Sequence, residues 1–150
     1  MQIGGKASAI LAQKRVSSVW TIDPNATVIA AIRLMDEKNV GALPVVGNGR
    51  LVGIVSERDY TRKVILKERS SQEILVSEIM TRQLLTVAPS DSVTECMRIM
   101  TEKRVRHLPV LEGTDLVGIL SIRDVVSWLI SAQTATIESL ERYVTGDYPA

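Results

Sequence analysis

The chain has 150 residues, 18 Lys and Arg against 17 Asp and Glu, a formal net charge of +1 and 45% apolar content. That balance carries no basic run, which argues against a nucleic-acid partner, and no apolar run approaches the roughly 18 residues of a membrane span, which argues against a membrane. A single cysteine, Cys96, excludes an internal disulfide, and Met1 leads into Gly4-Gly5-Lys6 without the apolar core of a signal peptide, so a cytoplasmic location is expected.

In chain order, residues 1–15 read as an N-terminal segment. It holds a short helix from Ala7 to Lys14 whose Ile10 and Leu11 are expected to dock on the unit that follows, with Lys14 and Arg15 just ahead of the first strand. That unit spans 16–70. Val19 to Ile22 is predicted as a short strand ended by Pro24. Val28, Ala31, Ile32 and Met35 then fall at i, i+3, i+4 and i+7, the apolar stripe of a helix. Ala42–Val46 and Leu51–Val55 are strands of a hairpin about Gly47-Asn48-Gly49, since Asn-Gly between apolar runs is a strong turn signal. A helix is expected from Glu57 to about Lys67, and Arg69-Ser70-Ser71-Gln72 is the expected linker.

A second unit, 71–127, repeats the first. Val19–Tyr60 aligns with Leu84–Val125 without a gap at an offset of 65, and 18 of the 42 positions are identical. Val93, Cys96, Met97 and Met100 form the matching helix stripe, with Ser92 and Glu95 spaced as a capping box. Leu108–Leu111 and Leu116–Leu120 form the matching hairpin. One unit of about 60 residues buries too little surface to be comfortably stable, and two packed together solve that. The last segment, 128–150, has no counterpart. Trp128, Leu129, Ile137, Leu140 and Val144 suggest a helix with an apolar edge that packs either on its own module or on another chain, the second slightly favoured and Trp128 then its anchor.

The best-conserved part of the repeat is polar. Ser56, Arg58 and Asp59 match Ser121, Arg123 and Asp124, and this Ser-x-Arg-Asp follows Gly53-Ile54 and Gly118-Ile119. With Val76-Ser77-Glu78-Ile79-Met80-Thr81, Leu43-Pro44-Val45 and Arg106-His107-Leu108-Pro109-Val110, these residues resemble a tandem pair of cystathionine β-synthase (CBS) domains, a Bateman module, over about residues 16 to 126. The resemblance implies an α+β fold: two βαββα repeats packed about a pseudo-twofold axis, here with a C-terminal helical extension. It also implies two clefts that bind an adenine nucleotide such as AMP, ADP, ATP or NAD, or S-adenosylmethionine, and assembly as a homodimer.

Residue chemistry agrees. A carboxylate can accept hydrogen bonds from both hydroxyls of a ribose, a role for Asp59 and Asp124, with Ser56 and Ser121 as second polar contacts. Arg58 and Arg123 can give charge-assisted bonds to phosphate. Backbone groups near Thr21, Ile22, Ala42 and Pro44, with Thr86, Val87, His107 and Pro109 as counterparts, are expected to read the adenine edge. A plainer reading stands beside each. Ser-x-x-Asp also makes a helix cap, the arginines also suit a solvated helix face, Pro44 and Pro109 also suit strand ends, and His107 also suits a half-exposed strand.

The clefts are expected to differ, because Gly41-Ala42 of the first copy is Arg106-His107 in the second. One site then becomes more cationic and the other roomier. With one histidine and no pair of cysteines, no metal site is expected. Cys96 matches Ala31 on a buried stripe, so no nucleophile stands out and the chain is expected not to be an enzyme. The function expected is a regulatory nucleotide-binding module that senses energy or redox state and signals to a protein effector. The alternative is an interaction or dimerisation scaffold whose clefts are empty or structural.

Overall fold

In the computed structural model, which describes residues 4–14 and 19–145 (the side chains of 136 and 143–145 excepted), each repeat is built on one helix and one hairpin. Helix α1 is Ala7–Gln13, α2 is Val28–Lys38 and α5 is Val93–Lys103. Thr27 caps α2 by accepting from the Ala30 N–H at 3.3 Å, and Ser92 caps α5 by accepting from Glu95 N–H at 3.0 Å. Val28, Ala31 and Met35 are buried on the inner face of α2, and Val93, Cys96 and Met100 hold the same places on α5. Each helix stops at a residue in the left-handed region, Asn39 (φ 55) or Arg104 (φ 54).

The hairpins are β1 (Ala42–Gly47) with β2 (Arg50–Ser56), and β3 (His107–Glu112) with β4 (Asp115–Ser121), both antiparallel. Asn48 (φ 53) and Gly49 (φ 75) supply the two positive φ angles that a tight two-residue turn needs. Both hairpins slip register at the same place, between Val45 and Val46 and between Val110 and Leu111. The expected strand at Val19–Ile22 contracts to a single parallel bridge, Ile22 to Val45, matched by Val87 to Val110. Asp23-Pro24 turns the chain away at once, so the pairing stops there.

After β2, helix α3 (Glu57–Tyr60) widens into a π turn over Thr61–Ile65, where one α-helix to Lys67 was expected. Leu66 N–H donates to Thr61 O and Arg69 N–H to Val64 O, both at 3.0 Å and both across five residues. In the second repeat the equivalent helix runs unbroken as α6 (Ile122–Thr145), absorbing the separate extension expected from residue 128.

The two halves exchange covers. Helix α4 (Val76–Ile79) lies between the repeats, yet Ile74, Val76, Ile79 and Met80 belong to the core of the first. Helix α1, expected to dock Ile10 and Leu11 on the first copy, packs them on the second instead. The bonding is the same in both. Val76 N–H donates to Ala26 O and Ala7 N–H to Asp91 O, each at 2.8 Å, and Ser77 and Ser8 donate likewise to Pro24 O and Pro89 O. A Cβ on Gly53 would lie 2.7 Å from Met80 Sδ, and one on Gly118 would lie 2.7 Å from Leu11 Cδ2. Only glycine lets each cover lie this close. Trp128, expected to anchor another chain, packs on its own module, its ring 2.6 Å from where a Cβ of Gly5 would sit.

Candidate functional site

Ser56 and Asp59 cap α3 reciprocally. Asp59 N–H donates to Ser56 Oγ at 3.2 Å, while Asp59 Oδ2 accepts from the Ser56 N–H and hydroxyl, each at 3.0 Å. Ser121 and Asp124 do the same for α6, at 3.1 Å and 2.8 Å. The repeated Ser-x-x-Asp therefore has a structural role in both copies, one that fixes each carboxylate at the end of a strand. Both carboxylates also face a lysine. Lys63 Nζ is 3.0 Å from Asp59 Oδ1 and Lys14 Nζ is 2.9 Å from Asp124 Oδ2.

Two cavities open between the repeats, and each carboxylate faces one of them. The first, about 730 Å³, places Ser56, Arg58 and Asp59 of one repeat opposite Arg104, Arg106 and His107 of the other, with Arg62 and Thr81 on its wall. The second, about 510 Å³, places Ser121, Arg123 and Asp124 opposite Lys38, Gly41 and Ala42. Lys14, Trp20, Arg106 and His107 also line it. Gly41, Arg106 and His107 thus serve both cavities, rather than dividing them into a cationic and a roomy site. His107's ring is 3.6 Å from where a Cβ of Gly41 would sit, so a bulky side chain at 41 would fill the seam between the cavities.

The charges differ in kind. The cations of the first cavity are all arginines, Arg58, Arg62, Arg104 and Arg106, and a guanidinium offers a planar fork for phosphate; the second mixes two lysines, which are point charges, with Arg106 and Arg123. Lys38 Nζ sits 4.1 Å over the Trp20 ring, so the second cavity has an aromatic wall under a cation. Burial lowers the His107 pKa, and the Lys14 and Arg106 charges lower it further against the raising influence of Asp124. The imidazole is therefore neutral near pH 7 and gains a proton readily only beside added negative charge.

Six expected contacts line neither cavity: Thr21, Ile22, Pro44, Thr86, Val87 and Pro109. Backbone groups of four of them are already engaged. Ile22 N–H donates to Pro44 O at 3.0 Å and Val87 N–H to Pro109 O at 3.1 Å, while Ile22 O and Val87 O accept from Val46 and Leu111. Those groups make the parallel bridges. Arg15 lies outside the described residues.

The sequence reading missed Arg62, Thr81, Arg104 and Lys38. Thr81 had a signal, since it ends the Ile79-Met80-Thr81 run; its hydroxyl is 3.4 Å from Asp59 Oδ1 and its backbone pairs with Ile54. Arg104 had one too: it occupies a left-handed helix end where the first repeat uses Asn39. Among the described residues, no group of three or more His, Cys, Asp or Glu could hold a metal ion, and no helix is long and apolar enough to cross a membrane.

The family model for the CBS domain matches residues 14–65 and 76–131. The chain is 41% identical over 127 residues to the mitochondrial CBS domain-containing protein CBSX3 of Arabidopsis thaliana, covering 81% of this chain. It spans 62% of the length of that relative. A solved protein with CBS domains from Burkholderia ambifaria is 48% identical and superposes with a TM-score of 0.83, over 86% of this chain and 96% of that one. The CBS domain pair of protein MJ0100, in complex with 5-methylthioadenosine and S-adenosyl-L-methionine, shares the fold at a TM-score of 0.75 and 24% identity, over 87% of this chain and 99% of that one. Two family matches in tandem, on the residues that build both cavities, show that this chain belongs to the CBS domain family and carries a CBS pair, a module that binds adenosine ligands in regulatory proteins.

Proposed function

We propose that the chain is a non-catalytic sensor of an adenine nucleotide (AMP, ADP, ATP or NAD), held across the two repeats, and that it reports energy or redox state to a protein effector. The observation that carries this reading is the crossed composition of each cavity. The carboxylate comes from one repeat and much of the facing wall from the other, Asp59 with Arg104 to His107 and Asp124 with Lys38 to Ala42. A nucleotide whose ribose reaches the Asp and whose phosphates reach the opposite wall bridges the halves. Its differential affinity for their relative orientations then sets the signal. In this reading the ribose hydroxyls displace Lys63 or Lys14 from its carboxylate, and the freed ammonium turns to phosphate. The working unit is a homodimer. Catalysis has no support in the thiol: Cys96 is buried on α5, and burial and the nearby Asp91 charge push its pKa up.

One observation favours the scaffold reading. Asp59 and Asp124 are engaged within the protein, as caps and as ion-pair partners. Calorimetric titration with AMP, ADP, ATP and NAD separates the two. The sensor reading expects saturable binding by at least one, reduced roughly tenfold or more in Asp59→Asn or Asp124→Asn protein that keeps its thermal transition. Folded, ligand-free protein that binds none of the four would leave the scaffold.

A further inference from the structure

Helix α6 packs one face on its own module and leaves another exposed. Val125, Trp128 and Leu129 pack into the second core, and Gln13 Nε2 donates to Ser131 Oγ at 3.1 Å, which ties the helix to α1. Beyond Ser131 the described side chains are exposed to solvent on every face. A solvent-exposed helical tail of about 14 residues is marginal in water on its own. Along the outer face run Val126 (47% exposed), Ile130 (59%), Ile137 (56%) and Leu140 (61%). With Gln133 and Val144 their spacing is 4, 3, 4, 3, 4, a heptad register in which Ile130, Ile137 and Val144 are a positions and Gln133 and Leu140 are d positions. Val126 follows the buried Val125 by about 100° around the axis, so this stripe lies to the side of the packed face.

We propose that this tail pairs with the same tail of a second copy as a parallel, in-register two-stranded coiled coil. Three observations choose that occupant. The a positions Ile130, Ile137 and Val144 are all β-branched and Leu140 stands at d, a combination that favours two parallel strands, and the single polar Gln133 in the seam sets the register. The seam carries no charge; Glu138, Glu141 and Arg142 lie off it, and no acidic residue stands five positions before Glu141 to oppose it across the pair. The stripe from Val126 to Val144 is ~27 Å long, about two and a half heptads. A seam so short suits a tail that joins modules already held near one another. Because the packed and free faces point different ways, two modules fit on opposite sides of the seam.

The pairing goes beyond the nucleotide reading and stands without it. Its test places one cysteine at a time in the full chain, Ile130→Cys or Leu140→Cys, in a Cys96→Ala background, since Ala31 fills the equivalent site. Under mild oxidation a parallel, in-register pair crosslinks at both positions. An antiparallel pair that meets at one of them holds the other two cysteines ~30 Å apart, too far for a disulfide. Crosslinking at both, with Ile137→Asp weakening self-association roughly a hundredfold in sedimentation equilibrium, is the expected result. Crosslinking at one position only, at neither in folded protein, or a wild-type chain that sediments as a monomer, each overturns it. Nucleotide titration of the same variants keeps this outcome separate from that of the clefts.

Discussion

The two cavities begin from the same residues and end as different sites. Ser56 to Asp59 and Ser121 to Asp124 superpose in role down to the reciprocal cap, because the backbone at a strand-to-helix junction needs that cap whatever lies opposite. The cations that reach the two carboxylates share no such constraint. Lys63 comes from the next turn of the same helix, and its counterpart at an offset of 65 is Trp128; Lys14 arrives from the cover segment at the other end of the chain. Duplication has kept what folding requires and varied what a ligand would meet.

The largest expected difference lies under the covers. A Cβ on Gly53 would meet the Thr81 carbonyl at 3.0 Å as well as Met80, whereas one on Gly118 meets only the flexible Leu11 side chain. Gly53→Ala should therefore cost about 2–3 kcal/mol and Gly118→Ala about 1 kcal/mol in urea unfolding. Equal costs would mean that the covers yield equally.

Next come the left-handed helix ends. Arg104→Asn should raise stability by about 1 kcal/mol, and Asn39→Arg should lower it by a similar amount, since asparagine tolerates that backbone better. The same Arg104→Asn should weaken binding of a nucleoside triphosphate at the first cavity severalfold. A variant more stable and equally tight would remove Arg104 from the site.

The ion pairs are smaller. Lys14→Ala should cost about 1 kcal/mol or less and Lys63→Ala less still, because Lys14 is the less exposed of the two, while both also donate to a backbone carbonyl at 2.8 Å, Ile119 O and Ile79 O. Both losses should shrink in high salt. Smallest is the pH effect of His107, whose pKa burial has lowered. The unfolded chain then binds the proton more readily, so stability falls as pH drops below about 6.5. Anionic ligand, which favours the imidazolium, binds more tightly over the same descent. His107→Gln should flatten both slopes.

Hairpins, caps and apolar stripes were legible because each rests on neighbours in sequence. The exchange of covers was not. Ala7-Ser8-Ala9-Ile10-Leu11 matches Val76-Ser77-Glu78-Ile79-Met80 at an offset of 69 rather than 65, and a gapless repeat search stops short of it. The π turn left no mark, since nothing in Thr61–Ile65 distinguishes a widened turn from an ordinary one. Ser56, Asp59, Ser121 and Asp124 could be placed at cavities from their pattern, whereas the backbone bonds that Ile22, Pro44, Val87 and Pro109 make away from the cavities are visible only in the fold. Trp128 showed an apolar edge, but its seat is Gly5, far away in sequence.

The exchanged covers also order events in time. Of the helices in this sequence, α1 leaves the ribosome first, and the hairpin it covers is completed only at Ser121. The first repeat can close once Met80 has emerged, while α1 must wait for nearly the whole chain before Ile10 finds its place. Closure over so long a separation is slow and comes at the end. Helix α1 is made before the hairpin it covers and docks only after that hairpin is complete.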